Sequence, residues 1–402
     1  MTQPAMRETN GASRGPSDGR DGRNFVPLAT RSGAGATNSA DAERIAAFGQ
    51  ALETLRREVE QKLGESDAEH IRRIGKVSSA LEIIGRTLIH FSFEPVGFGA
   101  GTAALWAHKT LELMEIGHMA LHGAYDGLPK TERFQSQKFH WKAPIDEASW
   151  KMGHNVRHHQ YTNIAGKDPD LDFGSLRLSA RIPYKKAHAY QPVTNWLSWL
   201  GFTTAINLHV TGILDIYQKQ GESEVLQNPS KEEVRKAQTT FAKKWARYFG
   251  REYLFFPLLA GPFFPKVLLG NWLSDLGRDV YAGAIIYCGH VGAEDFPQGT
   301  EPPSRAHWYA MQAEAARDVE VPALVSILCG GLDLQIEHHL FPRLPPNRLR
   351  EIAPRVREIC EKHGVRYRSD TWPRTLRSVV AELTRLRSRK ADEAVAAEAV
   401  AS

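Results

Sequence analysis

Residues 150–163 read WKMGHNVRHHQYTN, and on either side of them the chain carries EIGHMALHG at 115–123 and GGLDLQIEHHLFP at 330–342. In the first stretch His154 and His158 stand four apart, so on a helix both imidazoles project from one face, and His159 follows rotated by about 100°. His118 and His122 repeat the four-residue spacing, and His338 and His339 form a second adjacent pair three residues after Gln335. One such pair is ordinary surface or hydrogen-bonded structure. Three groups, each beside an apolar segment, imply helices that converge on metal. Imidazole suits Zn, Cu, Fe and Ni, and seven grouped histidines exceed what one tetrahedral ion can use, so two ions are implied. The inward Glu and Glu-x-x-His pattern of soluble di-iron bundles is absent.

Working outward, the chain has 402 residues, 16 histidines and a net charge of +5, from 51 Lys+Arg against 46 Asp+Glu. That balance gives no reason to expect a nucleic-acid partner. Cys288, Cys329 and Cys360 are too few and too scattered for a disulfide framework or a Cys-rich metal site. Mean hydropathy is −0.39, an ordinary soluble value, but the ends differ from the middle. Residues 1–40 are Gly/Ser/Pro/Arg-rich and read as a disordered tail, 41–78 as a charged amphipathic helical segment, 79–385 as the functional domain and 386–402 as a polar tail.

The central apolar segments predict an all-α fold. Residues 189–214 contain no Asp, Glu, Lys or Arg and are long enough to cross a bilayer core of about 30 Å. Shorter, interrupted apolar runs lie at 79–93, 95–108, 253–273 and 280–293. Each alone reads equally as a buried helix of a soluble enzyme, but together they form two close pairs, the pattern of two hairpins. Trp196, Trp199, Trp272, Tyr253 and Tyr281 sit near segment ends, as interfacial aromatics do. The expectation is an integral membrane helical bundle of about four spanning helices, with a helical cap holding the metal site. Lys130, Lys138, Lys142, Lys167, Arg177, Lys185 and Lys186 place that cap on the cytoplasmic side, together with both termini. Arg343, Arg348, Arg350, Arg355 and Arg357 line a helix that reads either as facing anionic partners or as a solvated face.

These boxes resemble those of the membrane-bound fatty acid desaturases, the histidine-rich di-iron superfamily. The likeness runs from about Ala80 to Tyr367 and includes flanking text that metal binding alone does not dictate, such as HHQYTNIAGKDPDLDFG, IIYCGH and QIEHHLFPRLPPNRLREIAPRVREICEKHGV. Gln335 at the start of the third box resembles the front-end subgroup, and no HPGG motif of a fused cytochrome b5 domain is present. The resemblance implies two iron ions held by His118, His122, His154, His158, His159, His338 and His339, completed by His290. A helix-end histidine capping carbonyls is the plain alternative for His290. Ile286 stands where some relatives carry an Asn one turn earlier. Gln335 would ligate directly, through water, or by hydrogen bonding only.

An unactivated methylene C–H bond is out of reach of side-chain acids and bases, so its cleavage needs an oxidising metal centre. The implied activity is O2-dependent acyl desaturation. The alternatives are a hydroxylase on the same scaffold and a metal-binding membrane protein without turnover. The implied substrate is a fatty acyl group on CoA, carrier protein or phospholipid, and the implied reductant is a separate ferredoxin, cytochrome b5 or flavin reductase. GFGAGT at 97–102 lacks the strand and acidic residue of a dinucleotide site. Asp168, Asp170 and Asp172 do not form a calcium loop, because Phe173 and Ser179 occupy its Gly and Glu positions. These aspartates are expected instead to hydrogen-bond ligand imidazoles. His90, His108, His140, His209 and His307 have no spacing partner and read as structural.

Overall fold

The computed structural model describes residues 39–218, 225–226 and 228–393. Residues 1–38 of the expected disordered tail, and 394–402 of the polar tail, lie outside the described residues.

The chain is helical, as the apolar periodicity predicts, with a single short parallel strand pair among the described residues, β1 (Asp318–Glu320) and β2 (Ser369–Thr371). The amphipathic segment forms α1 (Ser39–Glu60), and α2 (Glu65–Phe91) runs on from it into the first apolar run. A tight turn leads to α3 (Pro95–Leu111), whose N-cap Glu94 accepts hydrogen bonds from the Val96 and Gly97 N–H groups. α2 and α3 pack closely because neither Gly85 nor Gly101 carries a side chain. A Cβ on Gly85 would lie 2.7 Å from Leu105 N, and one on Gly101 2.7 Å from Leu88 Cβ. α3 passes directly into a π-helical stretch, Glu112–His118, and then Met119–Leu121, delivering the first box to the molecule's centre.

The second box follows α4 (Glu147–Trp150), in another π-helical stretch, Lys151–His158. The apolar run at 189–214 is not one helix. It forms α5 (Gln191–Leu200) and α6 (Phe202–Val210), broken at Gly201, whose φ of −134° and ψ of 42° lie outside the helical range. The second hairpin also differs from expectation. Its first arm is α7 (Lys231–Phe249), extended through Gly250–Phe255 to Leu259, and the reversal comes at Gly261, where φ is +52°. Its second arm is one helix of 27 residues, α8 (Phe264–His290), which joins the later part of the 253–273 segment to most of the 280–293 segment. The polar gap read as a break is the inward face of α8. There Asp275 accepts hydrogen bonds from Lys109 Nζ (2.8 Å), Tyr248 (2.6 Å) and Tyr253 (2.8 Å), and Arg278 pairs with Asp275 and Asp279 at 2.9 Å.

The two hairpin tips lie together, with Phe93 and Phe263 in edge-to-face contact at 5.3 Å, and they expose Phe91, Phe93, Val96, Leu258 and Leu259. No helix among the described residues is long and apolar enough to cross a membrane, so the expected set of spanning helices is not seen as individual spans.

The cap is completed by α9 (Arg305–Glu314), α10 (Ala323–Cys329), α11 (Gln335–Leu340), α12 (Pro346–His363) and α13 (Trp372–Arg385). Its main core joins Phe48, Leu52 and Leu55 of α1 to Tyr309, Ile336, Leu349, Ile352 and Val356. The arginines of α12 do not present a free basic face, because Arg348 pairs with Asp67, Arg350 with Glu115 and Arg355 with Glu58, fastening α12 to α1, α2 and the first box. The start of the segment read as a polar tail is also anchored. The fully buried Arg177 donates to Leu386 O (2.8 Å) and Asp392 (2.6 Å).

Candidate metal centre

The π-helical turns supply the local geometry of the first two boxes. Widening a helix by one residue per turn re-aims its side chains, which is why such turns cluster at functional sites. In Lys151–His158 the result is that both His158 and His159 face His154. The His154 and His158 rings stack at 5.1 Å, and His159 Nε2 lies 3.2 Å from His154 Nε2.

Two sets of nitrogens form. His118, His122, His154 and His338 make one, with His118 Nε2 lying 3.2 Å from His122 Nε2 and 3.4 Å from His154 Nε2. His158, His290 and His339 make the other, with ring centroids 4.5–5.0 Å apart. His159 stands between them, stacked on His339 at 4.2 Å and edge-on to His122 at 4.6 Å. All eight expected histidines therefore meet in one place, from segments more than two hundred residues apart.

The far ring nitrogens of the second set are held by neighbours, which leaves Nε2 free to face a metal. His158 Nδ1 donates to Asp168 (3.0 Å), His290 Nδ1 to the Ala315 carbonyl (3.1 Å) and His339 Nδ1 to Gln312 Oε1 (3.0 Å). Gln312 is fixed in turn by the Thr162 hydroxyl at 2.9 Å. Of the three aspartates, Asp168 holds His158, and Asp170 lies 3.6 Å from His158 Nδ1. Asp172 does not take part. It binds Lys185 Nζ at 2.9 Å and the Gly174 N–H at 2.8 Å, bracing the loop.

Several members of the site had no spacing signal. His209, read as structural, donates to Asp170 at 3.2 Å. Trp150 stacks on His154 at 4.4 Å. Gly289 makes room for Gln335, whose Cγ would lie 2.8 Å from a Cβ there. Their neighbours in sequence are polar or apolar in no regular period, and only the fold brings them to the centre.

The donor set fits metal. His338 Nδ1 and Nε2 and Gln335 Oε1 are buried with no hydrogen-bond partner among the described residues, and the Nε2 atoms of His118, His122, His154 and His159 crowd to 3.2–3.4 Å, an arrangement that costs free energy unless something occupies the space between them. Burial pushes His118 down to about 3 and holds His122, His154, His159, His338 and His339 well below the usual imidazole range, so these rings are neutral with lone pairs available. For His158, burial acts downward but the Asp168 carboxylate outweighs it and lifts the group to about 9. Gln335 Nε2 sits 2.7 Å from His290 Nε2 and 3.3 Å from His339 Nε2. Turning the amide over places its oxygen at that point as a further donor.

One flank of the histidines opens into an apolar cavity of roughly 1020 Å³, counted with its opening and walled by residues such as Leu113, Ile145, Phe202, Ile206, Val210 and Tyr287. His118, His154, His158 and His290 reach its surface. The opposite flank, at His122 and His159, meets a polar cleft with Asp126, Lys151, Asn155 and Arg343. A histidine cluster with an apolar cavity on one side and a polar cleft on the other is suited, once it holds an oxidising metal, to act on a hydrocarbon chain.

The family profile for fatty acid desaturases matches residues 95–371. The chain belongs to the fatty acid desaturase family. It is 33% identical over 342 residues to an NADPH-dependent stearoyl-CoA 9-desaturase of Mycobacterium tuberculosis, covering 83% of this chain and 77% of that protein. It is 29% identical over 296 residues to Delta(8)-fatty-acid desaturase 1 of Arabidopsis thaliana, covering 67% of this chain and 60% of that protein. With an sn-1 linoleoyl-lipid 6-desaturase of Arthrospira platensis the identity is 25% over 298 residues, 71% of this chain and 73% of that protein. The protein is thus an oxidoreductase, a fatty acyl desaturase, and the hydroxylase and non-catalytic alternatives are not favoured.

Proposed function

We propose that this desaturase holds two iron ions, one among His118, His122, His154 and His338 and one among His158, His290 and His339, with His159 next to both and Gln335 beside the second. The observation that carries this reading is the pair of nitrogen sets, each with its ligand atoms within 4.8 Å of one another, opening onto one apolar cavity. When bound, the iron pair supplies the oxidising power that C–H cleavage needs, drawn from O2 and two electrons. The balance is one CH2–CH2 unit, O2, two electrons and two protons giving CH=CH and two waters. The protein's own part is to hold the chain: Leu113, Ile145, Phe202 and Ile206 fix the methylenes beside the histidines and exclude water.

We further propose that the hairpin tips sit in a membrane, with the metal-bearing cap on the cytoplasmic side and a separate reductase or ferredoxin-type protein supplying electrons. The exposed Phe91, Phe93, Val96, Leu258 and Leu259 support that placement. Gln335 and the Delta(8)- and 6-desaturase relatives favour front-end insertion, whereas the stearoyl-CoA 9-desaturase relative favours an acyl-CoA.

The test is expression in a host of defined lipid content, with chromatography of the acyl chains and iron analysis of the purified protein. New double bonds with about two irons per chain are expected, and His338→Ala should lose the double bonds and the iron of its own set. Saturated products from iron-loaded wild-type protein would sink the reading.

A further inference from the structure

α5 is inside out for a helix in water. Val193, Trp196, Leu197 and Leu200, at i, i+3, i+4 and i+7, are 61%, 56%, 62% and 49% exposed, while Gln191 and Asn195 on the opposite face are buried. The buried polar side is built in: Gln191 Nε2 donates to the Arg177 and Leu383 carbonyls at 2.9 and 3.0 Å. Trp199 packs inward, against Gly283 of α8, and so fixes which face turns out. A helix of 10 residues is about 15 Å long, half of what a bilayer core requires, so α5 cannot cross one.

The surroundings of the stripe say what covers it. Lys186, just before α5, and Arg387, just after the end of α13 that meets Gln191, are exposed and in no ion pair among the described residues. An apolar stripe with a basic border matches anionic phospholipid. A second copy of the chain, docked about a two-fold axis, would set one basic border against the other. α8, on which α5 packs through Trp199 and Gly283, also exposes Leu269, Trp272 and Leu273.

Behind α5 lies a second cavity. Thr194 and Ser198 form its outer wall, and it shares Phe173, Phe202, Ile206 and Tyr287 with the cavity beside the histidines. We propose that α5 lies in the plane of a phospholipid leaflet and forms the lipid-side wall of the mouth through which an acyl chain enters from the membrane. The inference rests on the acyl-substrate reading for its second half only.

The experiment uses the full chain in vesicles of phosphatidylcholine and phosphatidylglycerol, carrying Val193→Cys, Leu197→Cys or Leu200→Cys with a fluorescent label. The natural Cys288, Cys329 and Cys360 are buried and stay unlabelled. All three labels should be quenched to a similar extent by a headgroup-level lipid quencher and several-fold less by aqueous iodide. Strong iodide quenching, depth that increases steadily from 193 to 200, or insensitivity to both quenchers would each overturn the in-plane placement, and none of these readings depends on turnover. For the mouth, Ser198→Trp should lower product from vesicle-borne acyl substrate by roughly tenfold or more, with iron content and label depth unchanged. Turnover equal to that of active wild-type protein would overturn it. A wild-type protein without product would instead count against the desaturase reading.

Discussion

His158 Nδ1 stands 3.0 Å from Asp168 Oδ2, and the Asp168 carboxylate is itself fixed by the Asn163 and Asp170 N–H groups at 2.8 and 3.0 Å. The aspartate therefore sets the ring's orientation and tautomer and leaves Nε2 to the metal. Loss of such an outer partner typically weakens metal binding by about 10–100-fold. Asp168→Ala should lose iron on that scale, approaching His158→Ala, while circular dichroism stays helical. Full iron occupancy in Asp168→Ala at limiting metal would show that the carboxylate is only structural.

Gly330 joins the third box to the first. Its φ is +64°, and a Cβ there would fall on the backbone of Met114 and Glu115, which no rotamer change can relieve. Gly330→Ala should destabilise the fold by roughly 2–4 kcal/mol, combining left-handed strain with overpacking, and should separate His338 from His118. Denaturant unfolding reads the first effect and iron content the second.

Asp67 links α2 to α12 through a two-point contact with Arg348, at 2.6 and 2.9 Å, and also accepts the Gly64 N–H at 3.0 Å. Burial pushes its carboxyl pKa up, but Arg348, Asn347 and Gly64 together outweigh that and leave it below the usual aspartate value. A depressed folded pKa contributes stability that is complete above the unfolded value of about 4 and disappears as pH falls through the folded one. Asp67→Asn should cost roughly 1–2 kcal/mol at pH 7, since it weakens the charged hydrogen bonds to Arg348 while that guanidinium keeps Glu351, the Lys62 carbonyl and the Ser66 hydroxyl. The gap between wild-type and variant melting should narrow only below about pH 4. A gap that narrows between pH 8 and 6 would contradict this.

Much of the centre was legible because histidine spacing is a local property: His118 and His122, or His338 and His339, announce themselves within a few residues. The helical class was legible for the same reason. Boundaries were not. The polar run 274–279 of α8 reads as a break in one dimension because Asp275 and Arg278 find Lys109, Tyr248 and each other only after folding. Likewise the charge-free run at 189–214 reads as one span until Gly201 divides it. His209, Thr162 and Gln312 act at the site through contacts made across long stretches of sequence, and no local pattern marks them.

Gln335 is where the box departs from an all-histidine set, and its surroundings say what the amide does. Its side chain lies against Gly289, reaches the Nε2 atoms of His290 and His339 at 2.7 and 3.3 Å, and buries Oε1 without a partner. A group able to present oxygen there meets both needs once metal is bound, whereas an apolar side chain of similar length meets neither. Gln335→Leu should therefore retain the fold but weaken iron at the His158, His290 and His339 set by roughly tenfold or more, leaving the other set loaded, so that iron falls from about two to about one per chain at limiting metal. Gln335→His, which restores a nitrogen donor at the same depth, should keep both. Two irons in Gln335→Leu would reduce the residue to a packing role, and loss in Gln335→His would mean that the amide's shape rather than its donor matters.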